Sequence, residues 1–215
     1  CLFIFNNSAV ALVEVDITRG NLDPLPIAVS PLYVESGSKD IKYNDIIIKN
    51  IGEEISKVIE VNFRRSGLFN PLKKDSFVQN PDIAHVKPRF EDWRLIKAQA
   101  LITGKANVSE DKLRVEFRLW DVVAAKEMIA LAFSTTPDNW RRVAHLISDK
   151  VYERLTGEKG YFDTRIIYVS ETGPKTQRYK KLAIMDQDGA NVKYLTLGNE
   201  LVLTPRFSPR NQLVT

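Results

Sequence analysis

The residues best suited to acid–base chemistry or metal binding are two histidines, His85 and His145. Asp149 follows His145 by about one helical turn, a spacing that could pair a base with a carboxylate. However, no Gly-x-Ser-x-Gly turn is present to position a nucleophilic serine. Two separated histidines also fall short of the convergent ligands that a metal needs. We therefore expect His145 to be a hydrogen-bonded helix residue rather than a catalytic base.

A second candidate site is the acidic run Asp186-Gln187-Asp188-Gly189, which invites comparison with a calcium loop. An EF-hand loop has glycine at its sixth position and a bidentate glutamate at its twelfth, whereas Gly189 is fourth and no glutamate follows at that spacing. We expect a hairpin turn instead. Glycine-rich phosphate-binding motifs are also missing from the sequence. The sequence thus predicts a protein that is not an enzyme and has no cofactor.

Composition limits the classes of partner. The 215 residues are 44% hydrophobic and 27% charged, as in an ordinary globular protein, and the net charge is only +4. The basic pairs Lys73-Lys74, Arg141-Arg142 and Lys180-Lys181 are scattered rather than clustered. An RNA-binding module would concentrate such residues on one surface. We therefore expect no nucleic-acid partner.

The first eleven residues have the pattern of the end of a secretory signal. An apolar run, Cys1–Phe5, is followed by polar residues and then by the small residues Ala9 and Ala11, which predict cleavage after Ala11. The run is far shorter than the roughly 20 residues that span a bilayer, so we expect no membrane insertion of the mature chain. Two alternatives stay open: Cys1 could be a lipidated first residue, or the segment could be a buried strand.

The mature chain predicted by this cleavage would contain no cysteine, because Cys1 is the only one. It could form no disulfide and no cysteine-based metal site. Export without disulfides is more typical of the bacterial periplasm than of a eukaryotic secretory route. The expected location is therefore the periplasm.

The segment after the cleavage site alternates as a half-buried strand does. Val13, Val15 and Ile17 are on one side, and polar residues are on the other. The complete set of candidate partner-binding residues in this strand is Leu12, Val13, Glu14, Val15, Asp16, Ile17 and Thr18. A bend at Pro24–Pro26 and a second short strand at Ile27–Val29 are predicted next.

Two main helices are predicted. Apolar residues recurring every three or four positions indicate a helix over about 43–65, with Asn44 as N-cap and Gly67 as its stop. The second opens at Thr136-Pro137 and ends at Gly157. Residues 80–87 are expected to form a loop, and residues 90–96 a short helix.

Three strands are predicted between the helices, over residues 98–106, 112–121 and 126–134. The central one is the clearest, since Leu113, Val115, Phe117 and Leu119 alternate with polar residues and Trp120. Together with the helices they predict an α+β domain, a mixed sheet with two main helices, over residues 12–157.

The pattern changes after Gly160. Short strands at Ile166–Val169, Leu182–Met185 and Val192–Leu195 are separated by tight turns, as in one blade of an all-β propeller. A lone blade cannot bury both of its faces, so residues 161–215 are expected to be the start of a truncated propeller.

Several segments, in order along the chain, resemble the TolB family of the bacterial Tol-Pal envelope system. They are Ser66–Pro71, Leu119–Asp121, Trp140–His145, Asp149–Gly157, Gly160–Ile166, Asp186-x-Asp188-Gly189-x-Asn191 and Pro205–Pro209. The resemblance implies an N-terminal α+β domain, a six-bladed C-terminal propeller and no enzymatic activity. It also implies an adaptor between the inner-membrane Tol complex and the lipoprotein Pal, which supports envelope integrity and cell division.

The resemblance further implies that the mature N-terminus, Leu12 to Thr18, engages TolA, and that the propeller engages Pal, mostly through residues beyond Thr215. A free strand of this kind can add to a partner's sheet edge through main-chain hydrogen bonds. The alternative that this strand belongs to the domain's own sheet stays open. The alternative function is the N-terminal fragment of an exported propeller-containing peptidase or hydrolase.

Overall fold

The computed structural model describes residues 23–38, 40–43, 46–198, 202 and 204–208. The predicted signal remnant and the predicted strand at residues 12–18 lie outside these residues. The chain divides into two compact units, Cys1–Gly160 and Tyr161–Thr215. Among the described residues, no helix is both long enough and apolar enough to cross a membrane.

The first unit is a mixed α/β domain, as predicted. Its described strands are β1 (Leu25–Val29), β2 (Tyr33–Val34), β3 (Ile41–Tyr43), β4 (Ile46–Ile48), β5 (Phe69–Pro71), β6 (Ala100–Val108), β7 (Leu113–Asp121) and β8 (Lys126–Thr135). Its described helices are α1 (Ile51–Ser66), α2 (Pro81–Ala84), α3 (Phe90–Leu95) and α4 (Trp140–Thr156).

The main sheet has the strand order β5-β1-β6-β7-β8. Strand β1 lies parallel to both β5 and β6, and β6, β7 and β8 form an antiparallel meander. Strand β2 continues the line of β1 along β6, with Tyr33 opposite Lys105. Residues Ser30 to Leu32 separate the two strands, and Pro31 between them has no N–H to offer the ladder.

One face of this sheet, the inner face, packs under α1 and α4, which also contact each other. Successive side chains of β7 point to opposite faces of the sheet, and every second one points to this inner face. The four apolar side chains on that face are all buried: Leu113, Val115, Phe117 and Leu119. The predicted core positions of β7 are thereby confirmed.

The opposite, outer face is covered at one end by α2 and α3. The Trp93 ring is buried there, and its indole N–H donates to Gln79 Oε1 at 3.0 Å. The α3 prediction is confirmed. The predicted loop at residues 80–87 is wrong, because α2 forms within it; Pro81 is its first residue, where a proline's missing N–H costs nothing.

The start predicted for the first main helix is also wrong. Ile46–Ile48 is strand β4, paired with β3, and the side chain of Ile47 is 61% exposed rather than part of the core. The helix begins at Ile51, where the side chain of the N-cap Asn50 accepts a hydrogen bond from the Glu53 N–H. Three consecutive β-branched isoleucines favour a strand, and the cap forms only after them. The predicted N-cap Asn44 lies outside the described residues.

The ends of both main helices agree with the sequence. Gly67 and Gly157 adopt left-handed φ values of 72° and 75° and stop α1 and α4. A single 3-10 turn, Pro137–Asn139, precedes α4 at the predicted N-terminus.

The second unit contains an antiparallel sheet of three described strands, β9 (Arg165–Thr172), β10 (Tyr179–Asp186) and β11 (Lys193–Tyr194), in the order β11-β10-β9. The three predicted strands of a first blade are confirmed, although β9 and β10 extend beyond the predicted bounds. Strands β9 and β10 pair along their whole length, with Ala183 opposite Tyr168. Successive side chains of each strand point to opposite faces of this sheet.

Candidate partner-binding surfaces

The predicted N-terminal partner-binding strand, Leu12 to Thr18, lies outside the described residues. The first described residue, Asp23, lies two positions before the start of β1 at Leu25. The Leu25 N–H donates to Leu68 O at 2.9 Å, and β1 has β5 on one side and β6 on the other. The candidate segment is therefore joined by a few residues to an interior strand of the sheet.

The outer face of the sheet carries a charged cluster that the sequence pattern did not reveal. Lys105 Nζ lies 2.6 Å from Glu35 Oε1, and Asn107 Nδ2 donates to Glu35 Oε2 at 2.6 Å. Glu116 accepts from Arg114 Nε at 3.0 Å. The hydrogen bond from Lys105 holds the pKa of Glu35 below its usual value, and the same bond raises the pKa of Lys105. Since opposite charges are interspersed, the cluster fixes β2 to β6 rather than forming a site for an ion of one sign.

An open groove of about 470 Å³ runs beside this cluster, with His85 in its wall and Lys105, Arg114, Glu116 and Arg118 in its lining. The His85 ring stacks on Tyr33 with centroids 4.7 Å apart. Its Nδ1 lies 3.0 Å from Pro81 O. A carbonyl oxygen can only accept, so Nδ1 carries the proton. His85 is thus held by packing and a backbone hydrogen bond, as a structural histidine is.

His145 is 2% exposed and belongs to a polar contact between α1 and α4. Asn62 Nδ2 lies 3.0 Å from His145 Nδ1 and 2.9 Å from Ser148 Oγ. An amide nitrogen can only donate, so His145 Nδ1 accepts. Ser148 Oγ donates to Ala144 O at 2.9 Å, not to the imidazole. The group therefore joins two helices and is not a nucleophile–base pair, as expected for His145.

One ion pair lies near strand β5. Lys74 Nζ is 3.3 Å from Glu60 Oε1, and both side chains are largely buried. Burial raises the pKa of Glu60, and the positive charge of Lys74 opposes that rise. The pair ties the segment after β5 to helix α1.

The acidic run in the second unit forms a hairpin turn, as predicted. The Gly189 N–H donates to Asp186 O at 2.9 Å, and the Ala190 N–H donates to Asp188 Oδ1 at 3.0 Å. Asn191 Nδ2 donates to Asp186 Oδ2 at 2.5 Å, and Gly189 has the positive φ of 87° that favours glycine. The spacing of the Asp-x-Asp-Gly-x-Asn motif thus serves to close the turn between β10 and β11.

Comparison with known proteins gives two matching family models. The model described as the TolB amino-terminal domain matches residues 13–128. The model described as the TolB beta propeller domain matches residues 152–215. Together they match most of the first unit and all of the second.

Individual relatives point the same way. The Tol-Pal system protein TolB of Pelagibacter ubique (strain HTCC1062) is 72% identical over 207 residues, which are 96% of this chain and 46% of that protein. The crystal structure of TolB from Acinetobacter baumannii matches with a TM-score of 0.65 at 24% identity, over 85% of this chain and 41% of that one. The latter likeness concerns the fold alone. The chain spans about half the length of the curated relative that it matches.

Proposed function

The chain belongs to the TolB family, and from this premise we propose that it acts as a periplasmic adaptor of the Tol-Pal system. In this proposal it links TolA of the inner-membrane Tol complex to the outer-membrane lipoprotein Pal, for envelope integrity and cell division. The observation that carries the proposal is the match of residues 13–128 to the TolB amino-terminal domain. The 72% identity to a protein named for the Tol-Pal system supports it further.

The contacts of the two histidines are consistent with a role that does not involve catalysis. His85 uses its ring to stack on Tyr33 and to hydrogen-bond Pro81, and His145 is buried between α1 and α4. These contacts give both side chains a structural purpose.

The proposed TolA-binding element is the strand Leu12 to Thr18. Its apolar side, Val13, Val15 and Ile17, and its polar side, Glu14 and Asp16, would let it add to the edge of a partner sheet with one side buried. Main-chain hydrogen bonds would give affinity, and the alternating side chains would determine the register. Its short connection to the interior strand β1 would carry load from a bound partner into the core.

The proposed Pal-binding element is the propeller, and residues 152–215 of this chain match the model described as the TolB beta propeller domain. The proposal assigns no individual residue of this chain to Pal binding.

Truncation tests the N-terminal hypothesis. We expect the chain starting at Leu12 to bind the purified periplasmic part of TolA in isothermal titration, and the chain starting at Gly20 to lose at least tenfold in affinity. Thermal unfolding of both forms checks that the described domain is intact. Equal affinity of the two forms would show that this strand does not bind TolA.

A proline substitution separates main-chain pairing from side-chain contact. Val15→Pro removes one N–H from the strand, whereas the matched Val15→Ala keeps it. If TolA binds by strand addition, Val15→Pro should weaken binding much more than Val15→Ala does. Similar losses in both variants would contradict strand addition while leaving the location of the site intact.

A further inference from the structure

The candidate partner-binding strand is attached to one particular end of the main sheet. Strand β1 begins at Leu25, and the Gln99 N–H, directly before β6, donates to Pro26 O at 2.9 Å. Ala100, the first residue of β6, is opposite Asp121, the last residue of β7. The segment before Leu25 therefore joins the domain at the end of the sheet where β6 begins and β7 ends.

The length of chain between the candidate strand and the domain limits where a bound partner can lie. Thr18 and Asp23 are five positions apart, a distance of at most about 18 Å when the chain is fully extended. A small domain is about 30 Å across. A protein bound to Leu12 to Thr18 therefore stays close to this end of the sheet whichever way the connection runs.

Two connections form the surface at this end, and hydrogen bonds join them. Arg94 Nε donates to Val122 O at 3.0 Å, and its Nη2 donates to Val123 O at 3.2 Å, which joins the end of α3 to the turn between β7 and β8. The Val122 N–H donates to Gln99 O at 2.9 Å, which joins the same turn to the start of β6. The two connections thus form one linked surface.

This surface, which we call the tip, is defined by Leu95, Lys97, Val123 and Lys126. Leu95 is 79% exposed and Val123 is 61% exposed. Both lysines are exposed as well. Within the described part of the chain neither lysine forms an ion pair. The tip therefore presents apolar and basic side chains to solvent side by side in the sequence.

The carboxylates flanking the tip leave it with a positive charge. Glu127 Oε2 is 3.2 Å from Arg118 Nε, and Glu91 Oε1 is 3.9 Å from Arg94 Nη1. The exposed Asp23 offsets only one of the two lysines. A partner surface with acidic and apolar side chains would complement such a surface.

We propose that the tip is a second contact surface for the partner that binds Leu12 to Thr18, and that this partner presents acidic side chains to Lys97 and Lys126. The proposal rests on the proposed function, in which the partner is TolA. The apolar part of the contact covers Leu95 and Val123. Because the connection is short, binding of the strand raises the effective concentration of the partner at the tip. A tip contact that is too weak to form alone can therefore add to the affinity.

Charge reversal at the tip provides the main test. In the full chain starting at Leu12, Lys97→Glu and Lys126→Glu should each weaken binding of the purified periplasmic part of TolA at least threefold in isothermal titration. The difference from the unaltered chain should shrink at high salt. Lys112→Glu is the matched control, because Lys112 is exposed and lies directly before β7, roughly 26 Å from the other end of that strand. It should leave the affinity unchanged.

Serine substitutions test the apolar part of the contact. Leu95→Ser and Val123→Ser should each weaken TolA binding at least threefold. Ile47→Ser is the matched control, because Ile47 is also 61% exposed but precedes the start of α1, whereas the end of α1 leads to β5 and the start of β1. Tryptophan fluorescence melts check that every variant is folded.

The outcomes separate the tip contact from the proposed function. If the chain starting at Gly20 loses TolA binding while all tip variants bind as the unaltered chain does, the strand binds TolA and the tip does not. Tighter binding by the tip variants would also overturn the proposal, because the tip would then hold residues 12–22 of this chain in competition with TolA. Failure of the unaltered chain to bind TolA would contradict the adaptor function and the tip contact together.

Discussion

The two edge strands of the main sheet, β5 and β8, differ in how far they are exposed to solvent. Strand β5 has three residues, ends in Pro71, and has α1 packed against it, with the Glu60–Lys74 pair fastening the segment after the strand. Strand β8 has ten residues, an exposed Leu131 and no charge after Glu127. One sheet thus has a closed edge and an open one. Among the described residues both strands have one strand neighbour, so the difference arises from the residues beside each edge.

The largest predicted effect concerns two phenylalanines on the inner face, one at each edge. Phe69 in β5 is 3% exposed and packs on Phe63 with ring centroids 4.9 Å apart. Phe133 in β8 is half-buried and stacks on Phe117 at 6.1 Å. We expect Phe69→Ala to lower the free energy of unfolding by about 3–5 kcal/mol, and Phe133→Ala by roughly half as much, because less apolar surface is lost.

Urea unfolding followed by tryptophan fluorescence measures both variants. All three tryptophans, Trp93, Trp120 and Trp140, lie in the first unit, so the signal reports on that unit. Equal losses of stability in the two variants would mean that the β8 edge is as well packed as the β5 edge. That result would contradict the difference between the two edges.

A smaller effect is predicted at the start of α1, the helix that packs against β5. Asn50→Ala removes the acceptor of the Glu53 N–H and should cost about 1 kcal/mol, whereas Asn50→Ser should cost little, because serine is an equally good N-cap. The same urea experiment measures both. If serine failed to preserve stability, the side chain of Asn50 would have a role other than capping.

The smallest effect is a pH dependence from the outer-face pair Glu35–Lys105. The bond from Lys105 lowers the pKa of Glu35, so the pair stabilises the fold above the ordinary carboxyl pKa of 4.5, and this stability is lost as pH falls through the lowered pKa. Glu35→Gln should therefore reduce stability at pH 7 by less than about 1 kcal/mol, and the deficit should shrink as the pH falls through the lowered pKa of Glu35. Glu91→Gln, on a largely exposed side chain, is the control.

Unfolding free energies measured at pH 7 and at lower pH test this sign. A Glu35→Gln deficit that grew on acidification would be inconsistent with a lowered pKa. Glu60 contributes in the opposite direction: its pKa is raised by burial, so its contribution favours folding at low pH and declines as pH rises above 4.5. The comparison with Glu91→Gln isolates the Glu35 contribution, because Glu60 is present in both variants.

Local patterns in the sequence were enough to predict β7, α3, α4 and the turn at Gly189. The apolar alternation of β7 lies within the strand, and the signals for α4 are its near neighbours in sequence, Pro137 in the 3-10 turn before it and Gly157 directly after it. The start of α1 was misplaced because Ile47 and Ile48 fit a helical stripe as well as a strand, and only the pairing of β4 with β3 decides between them. Helix α2 was missed because four residues give no period to detect.

Contacts between residues that are far apart in the chain could not be predicted from the sequence. The position of β1 between β5 and β6 depends on parallel pairings with residues far along the chain, which no turn signal specifies. The Asn62–His145 contact joins two helices at positions whose patterns are independent. The identification of β8 as a strand was correct, but its place at the open edge is determined only by the strand order.

Hydrogen exchange tests the difference between the two edges most directly. Peptides covering β8 and β5 can be followed by mass spectrometry in one sample. Because one side of β8 has no strand partner among the described residues and α1 packs against β5, deuterium uptake in Ile129–Thr135 should be faster than in Phe69–Pro71. Equal rates of uptake at the two edges would contradict the difference in exposure between β8 and β5.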